Sequence, residues 1–251
     1  MTDSFDPRAV ATKLHGLRQA GKQEPTSAFP LPADLQQAME TQNALKAEEG
    51  VASNAWKVTV SPEGQPVTAP LHPYAETVSG ATIAWYPGLK FETEIAVRFG
   101  RDLPYRKGAP YSRAEVLDAI STAYLGAELL VSAVKESGAV SFLLFLADRL
   151  GNSGYVLGPS ISKSIIDTAA STPLTVTHGG RTIYDGLAKH PKGDVLSWLV
   201  DYANDPLRPE SSLKSGALVT TGTLSGAVEL AEPGEIDIRF GDGARLVFSV
   251  V

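Results

Sequence analysis

The chain has 251 residues, 43% of them hydrophobic and 20% charged, and a formal net charge of −6. That length and apolar content can build one large core, or a core with an appendage. The acidic balance, and the lack of a basic cluster interleaved with aromatics, argue against a nucleic-acid partner. With no cysteine in the chain, disulfides, thiolate zinc sites and cysteine nucleophiles are excluded together.

The opening segment MTDSFDPRAVATKLHGL is polar and has no basic stretch leading into an apolar one. No secretory signal is expected there. The longest apolar run, Val140 to Leu150, carries Ser141, Asp148 and Arg149 and is too short to span a bilayer. A soluble, cytoplasmic protein with no membrane partner is the expectation.

The first fifty residues read as helical. Asp6 and Pro7 offer an N-cap followed by proline at the first helical position. Val10, Leu14 and Leu17 then recur at helical spacing, and Gly21 ends the run. After a linker containing Pro25, Pro30 and Pro32, a second helix is predicted from Ala33 or Asp34 to Gly50. Leu35, Met39, Gln42 and Leu45 form its stripe. Beyond Val51 the texture changes to short β-rich pieces, Trp56 to Val60, Thr82 to Tyr86 and Glu92 to Phe99, separated by loops rich in Pro and Gly. A helix interrupts them, with Ser112 and Glu115 as its capping box and apolar residues continuing towards Ala123. A further β-rich part is predicted from Val140 through Gly186. Asp194 to Tyr202 is helical again, and Ala217 to Val251 reads as strand, turn and strand. The mixture predicts an α+β protein, with a helical N-terminal region (1–52) packed on a mostly antiparallel, β-rich catalytic domain (53–251).

Within KFETEIAVRF, Glu92 and Glu94 point to one side of a strand while Ile95 and Val97 face the other way. Two carboxylates that close repel unless a cation or a shared proton relieves them. The same spacing also suits the solvated face of an edge strand. Glu128 lies in the apolar stretch AYLGAELLVSAV, where a lone buried charge is costly. If the three converge they make an oxygen-only site, which favours Mg²⁺ or Mn²⁺ over zinc. Lys57, in a short apolar strand before the SPEGQP turn, either snorkels to solvent or stands near a metal, aimed at an anionic substrate.

These pieces, taken in order over nearly the whole chain, resemble the fumarylacetoacetate hydrolase superfamily, and within it the 2-oxopent-4-enoate hydratase and 4-oxalocrotonate decarboxylase branch. The carriers are Ala38 and Gln42; AWK with Lys57; Glu92, Glu94, Ile95 and Ala96 followed by Leu103-Pro104; and Gly126-Ala127-Glu128. Then come ADRLGNSGYVLG, His190-Pro191, Trp198-Leu199, and LKSGALVTTGTLSGAVELAEPGEIDIRFGDGARLVF. The resemblance implies a rolled β-sheet body and a divalent ion, Mg²⁺ or Mn²⁺, held by Glu92, Glu94 and Glu128. It implies 2-oxo acid chemistry of the kind found in meta-cleavage aromatic catabolism. Lys57 would then bind the substrate carboxylate and assist proton movement, and Thr221, Gly222 and Thr223 would shape the pocket wall. It also implies a homo-oligomer, in this branch able to pair with a related decarboxylase.

The sequence departs from the branch pattern at several places. Val131, Ser132 and Ala133 stand where Asp-Ser-Arg is common, and Arg149 replaces an asparagine. Ala55 and Thr59 replace the glycines around the lysine, and Leu71 replaces an acid. His72, beside the lost acid, is a candidate replacement base. The leading expectation is a metal-dependent hydratase that adds water to a small 2-hydroxydienoate or 2-oxo-enoate. One alternative is a decarboxylase of an oxalocrotonate-like diacid, with Arg149 or Arg181 reaching the second carboxylate. The other is a catalytically silent, metal-binding subunit partner.

Overall fold

The computed structural model describes residues 5–76, 80–139, 141–209 and 212–251. Its first helix, α1 (Pro7–Gln19), starts where Asp6 accepts a hydrogen bond from the Arg8 backbone N–H, 2.9 Å away, with proline at the first helical position. The second, α2 (Leu35–Glu48), is capped by Asp34 through the Gln37 N–H at 2.8 Å. The apolar stripe of α1, Val10, Ala11 and Leu14, buries against Leu45 of α2 and against Ala133, Val134, Leu144 and Ala147. The N-terminal helices are thereby clamped to the middle of the chain.

The strands are β1 (Ala55–Val60), β2 (Pro66–Pro70), β3 (Tyr74–Glu76), β4 (Ala81–Ile83) and β5 (Lys90–Phe99). After helix α3 (Arg113–Ala119) come β6 (Ile120–Leu130), helix α4 (Phe142–Ala147), β7 (Asn152–Ile161), β8 (Pro173–His178) and β9 (Arg181–Leu187). Helix α5 (Ser197–Ala203) precedes β10 (Leu218–Thr223), β11 (Val228–Glu229), β12 (Gly234–Phe240) and β13 (Ala244–Val250). One sheet runs β2-β1-β10-β5-β6-β7-β3, with β11 also pairing β5, and a second runs β4-β13-β12-β8-β9. Among the strands of the described residues, only β1 with β10, β3 with β7 and β4 with β13 pair in parallel. The α+β, mostly antiparallel architecture is as expected. Between the sheets lies the main core, built from Phe91, Ile95 and Val97 of β5, Leu125 and Leu129 of β6, and Ile236, Ile238, Leu246 and Phe248 from the second sheet. That packing consumes one face of β5 and leaves the face carrying its glutamates for another purpose.

Three expectations about elements need correction. The part expected to be β-rich from Val140 (itself outside the described residues) through Gly186 does carry β7, β8 and β9, but it opens with α4, capped by the Ser141 hydroxyl accepting from Leu144 N–H at 3.2 Å. Its apolar residues are buried against α2, where Gln42 Nε2 donates to the Leu146 carbonyl at 2.8 Å. A short apolar run of this kind looks the same to periodicity whether helix or strand. Helix α3 stops at Ala119 rather than near Ala123, because Ile120 and the residues after it pair with β5. The strand expected over Thr82 to Tyr86 is only Ala81–Ile83. No helix among the described residues is long and apolar enough to cross a membrane.

Candidate metal centre

Strand β5 lies between β10 and β6, so the reading of Glu92 and Glu94 as the solvated face of an edge strand does not hold. Its register places Glu92 opposite Glu128, and Glu94 opposite Gly126. Directly opposed residues of an antiparallel pair project to the same face. One carboxylate oxygen from each of Glu92, Glu94 and Glu128 lies within 4.8 Å of the others. Glu94 is 2% exposed and Glu128 fully buried.

Lys57 joins this group from two strands away. It sits on β1 opposite Thr220 of β10, and its Nζ lies 2.7 Å from Glu128 Oε1. It is therefore buried and paired, not snorkelling. Asn152, at the start of β7, donates from Nδ2 to the same Glu128 oxygen at 2.9 Å. Three carboxylates thus share one ammonium, and Glu94 Oε2 and Glu128 Oε2 are buried without a hydrogen-bond partner among the described residues.

The electrostatics follow from that shortage of positive charge. Burial raises the Glu92 carboxyl to about 7, with Lys57 opposing and Glu128 reinforcing the rise. Burial and then the charges of Glu128 and Glu92 push Glu94 well above the carboxylate range, against the pull of Lys57 and the Thr220 hydroxyl. For Lys57, burial disfavours the charge, but Glu128, Glu92 and Glu94 outweigh it and hold the ammonium above its ordinary value. Buried, partnerless, hard oxygen donors gathered at one point are what a small divalent cation requires, and the residues fit such an ion.

The cluster opens on a cavity of about 420 Å³ lined by Lys57, Glu92, Glu94, Gly222 and Thr223, with Val131, Phe142, Phe145 and Trp198 as apolar wall. Gly222 sits at φ +107°, and a Cβ there would fall 2.4 Å from the Trp198 ring and 2.9 Å from His190 Nε2. Only glycine lets this strand end approach so closely. His190 donates from Nε2 to the Thr221 carbonyl at 2.8 Å and packs edge-on against Trp198, so it orients the turn that walls the cavity.

Several expected site residues are placed elsewhere. The Thr221 hydroxyl is spent on the Ile95 carbonyl at 3.0 Å, and Thr221 is not part of the cavity lining, unlike Gly222 and Thr223. His72 lines a separate cavity of about 480 Å³ together with His15, Arg18, Glu49 and Arg149. Its backbone is pinned on both sides, the N–H to Asn152 Oδ1 and the carbonyl to Arg149 Nη1, each at 2.8 Å. The base role expected of His72 finds no support in that placement. Leu71 is packed in core, so the position of the missing acid serves packing. Arg149 is buried and paired with Glu49 at 3.0 Å, and Arg181 pairs with Glu232 on the surface. Neither is held out to a substrate. Asn152 and Thr220 were missed from the sequence: both touch the carboxylates through strand pairing, which spacing alone does not reveal.

With this geometry in place, comparison with known proteins becomes informative. The family model of the fumarylacetoacetate (FAA) hydrolase C-terminal domain matches residues 33–249. The chain belongs to the fumarylacetoacetate hydrolase family. Curated protein sequences return no match to this family member. Among solved structures, 4-oxalocrotonate decarboxylase from Pseudomonas putida G7, complexed with magnesium and adipate, superposes with a TM-score of 0.78 at 17% identity. That match covers 98% of this chain and 97% of the decarboxylase. 2-Hydroxyhepta-2,4-diene-1,7-dioate isomerase from Mycobacterium marinum gives 0.54 at 19% identity, covering 78% of this chain and 73% of that one. Maleylpyruvate hydrolase from Sphingobium sp. SYK-6 gives 0.53 at 15%, covering 78% and 70%. At such identities these likenesses speak for a shared fold.

Proposed function

We propose that this family member is a divalent-metal-dependent lyase of the hydratase type, adding water to a small 2-hydroxydienoate or 2-oxo-enoate. The observation that carries the reading is the cluster of half-buried Glu92 with buried Glu94 and Glu128, short of positive charge and set beside Lys57 at a cavity. Glu92, Glu94 and Glu128 would hold Mg²⁺ or Mn²⁺, which when bound supplies a Lewis acid for the 2-oxo and carboxylate oxygens of a substrate. Lys57, kept protonated by its carboxylate neighbours, places a positive charge where the substrate carboxylate enters. It is also the cavity's candidate for moving a proton at the substrate carbon during dienol-to-enone tautomerisation. Val131, Phe142, Phe145 and Trp198 limit the water that reaches the carbon chain and hold it in one plane of approach.

A second reading, decarboxylation of a 2-oxo diacid, is favoured by Lys90. This residue lines the same cavity on the face of β5 that carries Glu92 and Glu94, and offers a cation for a second carboxylate. The two readings separate when purified protein with Mg²⁺ or Mn²⁺ is given 2-hydroxypenta-2,4-dienoate or a 2-hydroxymuconate-type diacid. Loss of dienoate absorbance without CO₂ supports hydration, and CO₂ release supports decarboxylation. Metal binding with neither reaction points to a catalytically silent subunit.

A further inference from the structure

Beneath the carboxylate cluster lies a hydroxyl that none of the roles above uses. Tyr155 of β7 is fully buried, and its O–H has no hydrogen-bond partner among the described residues. A buried phenol normally finds a partner, because leaving it unmatched costs about 1–3 kcal/mol. Its ring starts opposite Glu128 across β6 and β7, on the face that carries the carboxylates. The hydroxyl ends over Gly126, where a Cβ would fall only 2.1 Å from the Tyr155 oxygen. Gly126 is itself the residue paired with Glu94. The hydroxyl therefore occupies the room left by the missing side chain of Gly126, between Glu94 across the ladder and Glu128 two residues along the strand. Glu94 Oε2 and Glu128 Oε2 are likewise buried without a hydrogen-bond partner among the described residues. Tyr155 does not line the cavity, so it cannot touch a substrate held there.

We infer that Tyr155 is a positioning residue of the metal centre: its hydroxyl is the internal donor for the Glu94 carboxylate when that carboxylate ligates an ion, and Gly126 is glycine to admit it. The inference rests on the metal-centre reading and deepens it. A carboxylate that ligates an ion needs a donor on its remaining lone pairs, which fixes its orientation and keeps it anionic. The strand pairing supplies one from below, out of reach of solvent, with no lid or loop to order.

The test is calorimetric titration of the full chain with Mg²⁺, comparing wild type with Tyr155→Phe, and an ultraviolet difference spectrum of each on metal addition. Phenylalanine keeps the ring in place and removes only the unmatched oxygen. Metal-free Tyr155→Phe is therefore expected to melt at or above the wild-type temperature. Its Mg²⁺ affinity is expected to fall roughly tenfold or more, the usual cost of removing an outer hydrogen-bond partner from a metal ligand. Wild type should show a tyrosine difference band on loading that Tyr155→Phe lacks. Unchanged affinity together with an unchanged band would overturn the inference while leaving the metal centre standing. If wild type binds neither Mg²⁺ nor Mn²⁺, both readings fall together.

Discussion

Two groups of buried charge lie within a few strands of each other, and they are built on opposite principles. Around the N-terminal helices, Arg18 pairs with Asp148 at 2.6 Å and Arg149 with Glu49 at 3.0 Å. Asp148 also accepts from the Ser132 hydroxyl at 2.6 Å and the Ala133 N–H at 2.8 Å. Cation and anion are matched one to one in charge, although Glu49 Oε2 and Arg149 Nε are buried without a hydrogen-bond partner among the described residues. Asp148 ties α1 to Ser132 and Ala133, and Glu49 ties the end of α2 to Arg149. On β5 and β6, three carboxylates face a single lysine, and two of their oxygens have no partner. A group matched in charge needs no ion from outside and serves cohesion. An unmatched one is stable only with a proton or an ion from outside, and that dependence marks it as a site.

This contrast predicts that damage to the two groups reads out in different quantities. The largest effect is expected for Lys57→Ala: turnover falls by roughly 10²–10⁴-fold, the range for losing a proton-transfer group, while Mg²⁺ affinity in a calorimetric titration does not weaken. An equal loss of both would contradict the role given to Lys57. Next, Asp148→Ala in the matched group should lower unfolding free energy by about 3–5 kcal/mol, because it strands a buried guanidinium. Denaturant titration measures that loss, and the metal affinity of the folded variant should fall by less than about tenfold, a residual coupling that runs through Asn152, which accepts from Arg18 and donates to Glu128. Glu94→Gln should do the reverse, weakening Mg²⁺ at least about tenfold at little cost in stability. A Glu94→Gln protein with an unaltered titration would remove Glu94 from the site.

A pH series sharpens the same contrast. Burial raises Glu92 to about 7 and pushes Glu94 well above the ordinary carboxylate range. Without a cation the cluster therefore carries protons below neutrality and loses them as the pH climbs. Because these folded-state values lie above those of an unfolded chain, metal-free protein should lose stability as pH rises through about 7. Mg²⁺ binding, which needs the ionised carboxylates, should strengthen over the same window with proton release. The smallest effect is expected for His72→Gln, whose side chain lies in the other cavity. Its turnover should match wild type within about twofold, and a large loss would restore His72 as a base.

The sequence made the centre of this picture legible because the chemistry there is local. Glu92 and Glu94 share a face by strand geometry alone, and Glu128 stood out as a charge in an apolar stretch. What stayed hidden depends on register and on partners far along the chain. Asn152 reaches Glu128, and Tyr155 reaches over Gly126, only because β7 pairs with β6 at one particular offset. His72 looked like a base because it adjoins a lost acid, yet Asn152 and Arg149 hold its backbone and place its ring in the other cavity. The helices were legible through their caps, Asp6, Asp34 and Ser112. Helix α4 was not, since a run of six apolar residues carries no period that favours helix over strand.

The parallel pairing of β1 with β10 ties residues near 55 to residues near 218. No hairpin can bring these segments together, and the search for that contact is slow compared with closing a local turn. The lysine that neutralises Glu128 thus arrives beside it only after most of the chain has been ordered. Until then the paired carboxylates of β5 and β6 can form their ladder but lack their cation. A divalent ion captured by that ladder during refolding would therefore time the pairing of β5 with β6, ahead of the closure that brings Lys57 in.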